Sequence, residues 1–543
     1  MKNLAYILFS LFILFGCAKR GTPTGGPKDS IPPILVNASP KLNSTNFDSE
    51  EIRLTFDEWL KLDKVQDQLI ISPPLEKSSY EIKPLTGVTK KVFLKFLDSL
   101  TPETTYTINF GNSIQDNNEN NPLTFFSYTF STGETIDSLY IRGNTSDAFS
   151  LESDEFISLQ LYRVDSLFKD SIIFKDKPTY ISNTLDSTNY KFQNLKEGKY
   201  LIIALKDVDN NYFFDPFYDK IGFIDSLITL PRDSIIDLKL FKEETEIIWD
   251  RPHFINSEKI GFGYYGKLDL DKIKIESIIP DSVNYVFIKE KETDTLNLWL
   301  SRNSFDSLNF SLIETDTTKL TTVKFDRKRD SLIDSLNISP KTVSVIHLKE
   351  SFKISSNIPL NKIEDSLITI RDIDSLIIPF TTSINYRLDE IDIDFEVSPS
   401  DDYSIFIKPR AIKDIRGTEN DTLQFNVVSQ TLEDYGNVFL DVISNNDSKY
   451  ILHLLDSNSN IIREFNNVTN STYTFDYIRP GKYTFRLIED LNSNDIWDTG
   501  NYLKQVQPEP VYYFPNELDV RANWDLNETF NLNLLNSLKD SIN

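Results

Sequence analysis

The chain has very little cysteine, histidine and glycine, and each shortage excludes a class of structure or chemistry. A single cysteine in 543 residues allows no internal disulfide, so each domain must be stable through its own core. The three histidines form no His-Glu-x-x-His zinc motif, and 17 glycines supply neither a phosphate-binding loop nor a Gly-x-Ser-x-Gly elbow. We therefore predict that the protein is not an enzyme.

Basic residues are also scarce relative to acidic ones. The chain has 57 Lys and Arg against 82 Asp and Glu, which gives a net charge of −25. Because such a charge repels phosphate groups, we predict no nucleic-acid partner. Aromatic residues, in contrast, make up 12% of the chain, more than a disordered protein has. The chain is thus expected to fold, as about four or five domains of ~100–150 residues.

The N-terminus has the build of a secretion signal that ends at the cysteine. One lysine is followed by an almost uninterrupted apolar stretch over 4–15, too short to span a bilayer, and then by Gly16-Cys17. Residues 14–17 resemble the bacterial lipoprotein box. The resemblance implies that 1–17 is a lipoprotein signal peptide and that Cys17 is lipidated, with enough acyl chains for stable anchoring.

The residue after the cysteine indicates the membrane. It is Ala18 rather than Asp, which by resemblance to Gram-negative lipoproteins implies the outer membrane, while the periplasmic or surface face is left open. Residues 18–32 are rich in Pro and Gly and are predicted to be a flexible tether. The predicted partners are the outer membrane, through the lipid on Cys17, and a protein of the cell envelope.

Alternating apolar and polar residues recur along the rest of the chain. Examples are 52–56, 106–110 and 403–407, each rich in β-branched or aromatic residues and bounded by turn formers. No helical stripe of comparable strength follows the signal peptide. The pattern predicts an all-β fold, an elongated tandem array of β-sandwiches.

Two internal repeats divide the array. The first combines a Gly-Lys-Tyr strand start with an acidic loop, at 198–215 and again at 481–498, offset by 283 residues. An aromatic strand precedes each copy. The pattern resembles the transthyretin-like or carboxypeptidase-regulatory-like sandwiches of secreted bacterial proteins, which implies such domains at 137–243 and 436–520.

The second repeat is looser. Residues 33–133 contain a strand ending in Phe56-Asp57, a Thr-Tyr strand at 105–108 and a polar loop at 114–118. This resembles the bacterial Ig-like domain of S-layer-type proteins. Residues 341–431 repeat its closing half and are interpreted as a divergent Ig-like domain.

The remaining segments have no named counterpart. Residues 244–340 form an unassigned β domain, and 521–543 are predicted to be a tail. As a whole, the chain resembles outer-membrane lipoproteins of the Bacteroidota type.

The acidic loops are candidate calcium sites, because Ca²⁺ binds six to eight oxygen ligands. The candidate ligands, at the same spacing in both loops, are Asp207, Asp209, Asn211 and Asp215, and Asp490, Asn492, Asn494 and Asp498. The spacing resembles the start of an EF-hand loop, but Tyr218 and Asn501 stand where a bidentate Glu is needed. The alternative is a polar hairpin loop in which Asp and Asn serve the turn geometry. No other cofactor is predicted.

Arrays of small sandwiches act through their loops and edges. We therefore predict a non-enzymatic, lipid-anchored structural or interaction protein of the outer membrane, such as an accessory subunit of a complex. The alternative function is a lipoprotein that binds glycans or another ligand on surface aromatics such as Trp59, Trp497 and Trp524. Packing in cores or at edges is the competing explanation for these tryptophans.

Overall fold

The computed structural model describes residues 29–533 except 167, 232–234, 292, 303–304, 316, 326–334, 386 and 446. Strands account for 49% and helices for 4%, so the predicted all-β class and the tandem β-sandwiches are confirmed. The described residues form five modules in chain order, each with its own buried apolar core. The signal peptide and Cys17 lie outside the described residues.

The first module is a sandwich of two sheets. One sheet has five strands, in the order β1-β2-β5-β4 with β7 also paired to β2, and the other has three, in the order β3-β6-β8. Alternation in its second strand buries Ile52, Leu54 and Phe56 and exposes Arg53, as a strand with one wet face requires. Its elements are β1 (Leu35–Ser39), β2 (Glu51–Leu62), α1 (Val65–Gln68), β3 (Ile70–Ser72), β4 (Tyr80–Lys83), β5 (Thr89–Phe96), β6 (Thr105–Asn109), β7 (Ile114–Asp116) and β8 (Ser127–Ser131).

The predicted tether is too long at its C-terminal end. The side chain of Asn121 donates hydrogen bonds to the carbonyls of Asp29 (2.9 Å) and Ile31 (3.4 Å). Residues 29–32 therefore already belong to the first module rather than to the tether predicted over 18–32.

The second module has a five-stranded sheet in the order β11-β10-β13-β14, with β15 paired to β13, and a three-stranded sheet β12-β9-β16. In the smaller sheet, β16 runs parallel to β9. The strands are β9 (Leu139–Asp147), β10 (Ser158–Arg163), β11 (Tyr180–Asn183), β12 (Asn189–Leu195), β13 (Gly198–Lys206), β14 (Lys220–Phe223), β15 (Ile228–Leu230) and β16 (Leu238–Leu240), with a 3-10 turn at Asp170–Phe174.

The third module combines a five-stranded sheet, β17-β19-β22-β21 with β18 paired to β19, and the three-stranded sheet β20-β23-β24. Its core contains Trp249, Phe262 and Phe310. The strands are β17 (Ile248–Trp249), β18 (His253–Asn256), β19 (Lys259–Tyr265), β20 (Ile273–Ile275), β21 (Tyr285–Lys289), β22 (Thr295–Leu300), β23 (Ser307–Ile313) and β24 (Thr318–Lys324), with a 3-10 turn at Leu270–Lys272.

The fourth module has sheets β25-β27-β32-β31 and β26-β35-β33-β29-β30 and a small pair, β28-β34. Its strands are β25 (Ile338–Pro340), β26 (Val345–Ile346), β27 (Phe352–Ser356), β28 (Leu360–Ile363), β29 (Ile368–Arg371), β30 (Ile377–Ile378), β31 (Phe380–Ile384), β32 (Glu390–Phe395), β33 (Asp402–Ile407), β34 (Ile412–Asp414) and β35 (Leu423–Ser429), with a 3-10 turn at Asp365–Leu367. The predicted boundary at 340/341 was wrong, because β25 pairs with β27 inside this module.

The fifth module repeats the topology of the second. Its sheets are β38-β37-β40-β41, with β42 paired to β40, and β39-β36-β43. The strands are β36 (Gly436–Ile443), β37 (Lys449–Asp456), β38 (Ile461–Val468), β39 (Ser471–Ile478), β40 (Gly481–Asp490), β41 (Val511–Tyr513), β42 (Leu518–Val520) and β43 (Asp525–Asn531), after a 3-10 turn at Leu432–Asp434.

The tail predicted at 521–543 was wrong in its first part. The strand β43 pairs in parallel with β36 over seven residues, as β16 does with β9 in the second module. Its Phe530 is buried in the core of the fifth module, so removal of this strand would expose that core.

Candidate functional site

The first acidic loop follows β13 and is closed by its own carboxylates. Asp207 accepts hydrogen bonds from the backbone N–H of Asn211 (3.2 Å) and of the next residue (2.7 Å). The buried Asp219 accepts from the N–H groups of Val208 and Asp215, both at 2.9 Å. Burial raises the pKa of Asp219, although these two N–H groups oppose the shift. Both carboxylates therefore hold the backbone of the loop.

The second acidic loop follows β40 and is closed in the same way. Asp490 accepts from the N–H of Asn494 (3.1 Å) and of the next residue (2.9 Å). The buried Glu509 accepts from the N–H groups of Leu491 (2.7 Å) and Asp498 (3.0 Å). Burial also raises the pKa of Glu509.

Sequence reasoning missed both closing acids, Asp219 and Glu509. The 283-residue offset places Tyr502, not Glu509, at the position equivalent to Asp219. The reason is an insertion: Asp219 comes four positions after Asp215, whereas Glu509 comes eleven positions after Asp498. The second copy thus keeps the loop closure and adds seven residues to it.

The eight predicted calcium ligands lie in these two separate loops. Among the described residues, no group of three or more His, Cys, Asp and Glu is placed to hold a metal ion. Asp209 is exposed, whereas the amides of Asn492 and Asn494 both donate to Asp498 Oδ2, at 2.5 and 2.8 Å. The backbone hydrogen bonds of Asp207 and Asp490 fit the polar-turn alternative. Calcium binding stays a prediction.

Residues 499–508, the segment between Asp498 and Glu509 that contains the seven additional residues and is called the inserted segment below, make a contact between the fifth and second modules. Tyr502 at its centre is 0% exposed and packs against the second module. Its ring centroid lies 5.3 Å from that of Phe223, and its hydroxyl donates to the carbonyl of Asp170 at 3.0 Å. Burial raises the pKa of the Tyr502 phenol, which therefore stays neutral.

The receiving surface is the outer face of the larger sheet of the second module. Along β13, Tyr200, Ile202 and Ala204 point into the sandwich core, and the alternate residues point to the opposite side. These alternate residues join a second buried cluster, whose members are Ala148, Tyr162, Ile173, Leu201, Ile203, Leu205, Phe214, Ile221, Phe223, Phe241 and Tyr502. The sheet is therefore covered on both faces.

Polar contacts fix the register of the inserted segment. Glu243 accepts from the backbone N–H of Tyr502 through Oε1 (2.6 Å) and from the Asn501 amide through Oε2 (3.1 Å). Burial raises the pKa of Glu243, and the Tyr502 N–H opposes that shift. A Cβ on Gly500 would lie 2.6 Å from the ring of Phe241, so only glycine permits this approach.

A second contact between the same modules centres on a buried arginine. The guanidinium of Arg486 lies 4.2 Å from the Phe149 ring centroid, and the Tyr513 hydroxyl donates to the Phe149 carbonyl at 2.8 Å. Arg486 Nε donates to Nδ1 of His453 (3.1 Å), so the ring proton of the neutral imidazole sits on Nε2, facing Glu464 at 3.1 Å. Burial, and then the charge of Arg486, lower the pKa of His453.

Because consecutive modules are also in contact, the second, third, fourth and fifth modules form a closed circuit. The contact between the second and fifth modules closes it, and the elongated array predicted from the sequence gives no reason to expect that contact. Between consecutive modules, in chain order, the structure has Ile181 N donating to Ser72 Oγ (3.0 Å), the rings of Tyr218 and Tyr265 (5.5 Å apart), the ion pair of Arg416 with Glu258 (3.4 Å), and the pair of His347 Nε2 with the Tyr477 carbonyl (2.6 Å).

The tryptophans predicted as a binding surface divide into two kinds. Trp497 packs on Phe149, with ring centroids 4.7 Å apart, and donates to the Glu509 carbonyl, so it belongs to the contact between modules. Trp59 and Trp524 are 58% and 61% exposed. In the part of the chain that the structure describes, no helix has the length and apolarity needed to cross a bilayer.

Comparison with known proteins identifies the first module. Residues 29–132 match the family model of the bacterial Ig-like domain, which confirms that prediction for this segment. No curated protein matches the chain.

Several solved structures share low similarity with the chain. The major pilin subunit BcpA of Bacillus cereus is 11% identical, with 73% of this chain and 99% of that chain covered and a TM-score of 0.14. Domains 1–6 of the surface-layer protein SbsC are 10% identical, with 90% and 67% covered and a TM-score of 0.14. The Bacillus anthracis TIE protein is 9% identical, with 94% and 76% covered and a TM-score of 0.15. At such scores the chains do not superpose as wholes.

Proposed function

We propose that this chain is a non-enzymatic, lipid-anchored structural protein of the outer membrane that holds a partner protein of the cell envelope near the bilayer. The observation that carries the proposal is the closed circuit of modules. Domains joined by short linkers move relative to one another unless their interface is large and apolar. Here a fully buried tyrosine and a buried arginine join the second and fifth modules, so four modules are held in one geometry. Fixed geometry suits a scaffold.

The first module is the part best placed to meet the membrane partner. It lies outside the closed circuit and contacts the second module, for example where Asn194 Nδ2 donates to Thr107 Oγ1 (2.7 Å). Asp29 comes twelve positions after Cys17, a span of at most about 43 Å at ~3.6 Å per residue. A lipid on Cys17 would therefore keep this Ig-like module close to the bilayer, within reach of an integral membrane partner.

The lipid is tested by the substitution Cys17→Ser. We expect it to abolish metabolic labelling by a fatty-acid analogue and to release the protein from membranes, because the chain has no other cysteine to acylate. Ala18→Ser is the matched control and should keep both properties. Labelling that persists in Cys17→Ser would refute the anchor.

The partner is tested by cross-linking in cells. A photo-reactive residue in place of Trp59, which is exposed on the first module, should capture an outer-membrane protein. The same residue in place of Trp524, exposed on the fifth module, is the control. Deletion of 29–132 should abolish capture at any position while the remaining modules stay folded. Capture that is equal from both positions would contradict a partner specific to the first module.

Glycan binding is the second candidate function. It is favoured by the exposure of Trp59 and Trp524, since aromatic faces stack on sugar rings and polar tips remain wet. Recovery of the protein as a free monomer that binds soluble glycans, with loss of binding in Trp524→Ala, would support this function over the scaffold.

A further inference from the structure

A narrow cleft separates the third and fourth modules. Its volume is about 230 Å³, below the ~300–1,000 Å³ typical of sites for drug-sized ligands. One wall is the outer face of β21 and β22, where Trp299 and Asn297 point away from the module core. The opposite wall is the segment 356–359 together with Arg387 of the fourth module. The half-buried ion pair of Arg416 and Glu258 holds the same two modules together.

The floor of the cleft contains a buried amide oxygen that has no hydrogen-bond partner among the described residues. Asn297 is 3% exposed, and within the described part of the chain its Oδ1 has no hydrogen-bond partner. Its neighbours across the sheet are Gly261 and Ile288, and neither has a polar side chain. A buried amide oxygen left without a hydrogen bond destabilises the folded chain, so such a group calls for an explanation.

The charge of the cleft differs from that of the chain. The protein as a whole carries −25, yet three cationic side chains and two carboxylates line this space. They are Lys259, Lys291 and Arg387, and Glu290 and Asp389. Arg387 is itself paired with Asp389 (Nε to Oδ1 3.5 Å), which leaves Lys259 and Lys291 against Glu290. The ammonium of Lys259 lies 4.9 Å from the Trp299 ring centroid. Cations concentrated at a concave site on an acidic protein attract a small anion.

From these observations we propose that the cleft between the third and fourth modules binds a small polyhydroxy carboxylate, an acidic sugar unit. The carboxylate pairs with the lysines at the rim, and a sugar hydroxyl donates to Oδ1 of Asn297 after the amide turns about χ2. The volume admits one ring rather than an extended chain. The apolar edge of the sugar lies against Trp299, beside the stem of Lys259.

The test is a titration of the full mature chain with D-glucuronate, followed by calorimetry, with D-glucose and inorganic phosphate as comparison probes. We expect glucuronate to bind about tenfold more tightly than glucose, because a charge-assisted contact is worth about one decade more than a neutral one. Asn297→Leu should weaken glucuronate about tenfold while raising the melting temperature, since it removes the unpaired amide without changing the volume.

The control variant is Asn426→Leu, which changes an exposed asparagine on β35 and should alter neither property. If Asn297→Leu does not fold, Lys291→Glu at the exposed rim provides the same test and should weaken glucuronate at least as much. Glucose binding as tightly as glucuronate, or phosphate competing as well as glucuronate, would overturn the acidic-sugar assignment. No heat with any probe at about 10 mM would mean that the cleft holds water only, and would overturn the site.

Discussion

Replacement of Tyr502 tests whether the second and fifth modules are held together as described. The side chain is 0% exposed, packs on Phe223 and donates to the Asp170 carbonyl. Truncation of a buried aromatic residue to alanine costs about 3–5 kcal/mol. If that energy stabilises the contact between modules, Tyr502→Ala lowers the ratio of docked to undocked molecules by roughly a hundredfold to a few thousandfold.

Two further variants separate the parts of this effect. Tyr502→Phe keeps the ring and removes the hydroxyl, so it should cost only about 0.5–1.5 kcal/mol. Leu503→Ala changes the next residue, which is 60% exposed, and should stay within about 0.5 kcal/mol of the parent. The order of the three variants therefore reports on packing by Tyr502 rather than on the loop in general.

The assay is a distance distribution between two spin labels in a Cys17→Ser background, which has no native cysteine. Lys199→Cys on β13 and Ser471→Cys on β39 place exposed labels in the two modules. The parent and Leu503→Ala should give one narrow distance, and Tyr502→Ala a broad distribution at unchanged circular dichroism. A narrow distance retained in Tyr502→Ala would refute the role of this residue in the contact.

Three further predictions concern other parts of the chain. Burial lowers the pKa of His453 in the folded chain below its ordinary value of about 6.5. As the pH falls, His453 therefore binds a proton in the unfolded chain before it does in the folded chain, so the free energy of unfolding should be highest above about pH 6.5 and decrease below it. Urea unfolding of His453→Gln should show a weaker pH dependence. Arg416→Ala should destabilise the protein by about 3–5 kcal/mol in the same assay, because it leaves the buried carboxylate of Asp414 without its ion pair. If the first acidic loop binds calcium, a chelator should lower the melting temperature of the full chain, and Asp207→Ala with Asp209→Ala should reduce that change; identical melting curves with and without chelator would instead favour the polar-turn alternative.

The strand content of the chain was readable from the sequence because each sandwich strand has one buried face. The alternation at 52–56 and 403–407 appears in the structure as the buried and exposed faces of β2 and β33. A different signal was available in β13, where Tyr200 to Leu205 are all apolar. A strand with such a run is covered on both faces. That run indicated a contact on the outer side of the second module, but it did not identify the partner surface.

The contacts between modules were not predictable, because they depend on residues that no local pattern connects. The seven-residue insertion moves Glu509 away from the position that the 283-residue offset gives for the equivalent of Asp219. Tyr502 lies near that insertion, and no sequence pattern distinguishes it from other aromatic residues in loops. Asn297 stands in a strand beside a tryptophan and carries no signal of its own. Its unpaired amide follows from Gly261 and Ile288 on the neighbouring strands, whose register with β22 only the structure supplies.

The contact at Tyr502 also determines how the chain carries mechanical load. Tension between the N-terminal end of the chain and the last strand, β43, passes from the second module directly into the fifth while the contact holds. Residues 244–431 then lie off the load path. When the contact ruptures, they enter it and lengthen the span between the two ends before any sandwich must unfold. The inserted segment 499–508 would thus act as a sacrificial bond that limits the peak force on the individual modules.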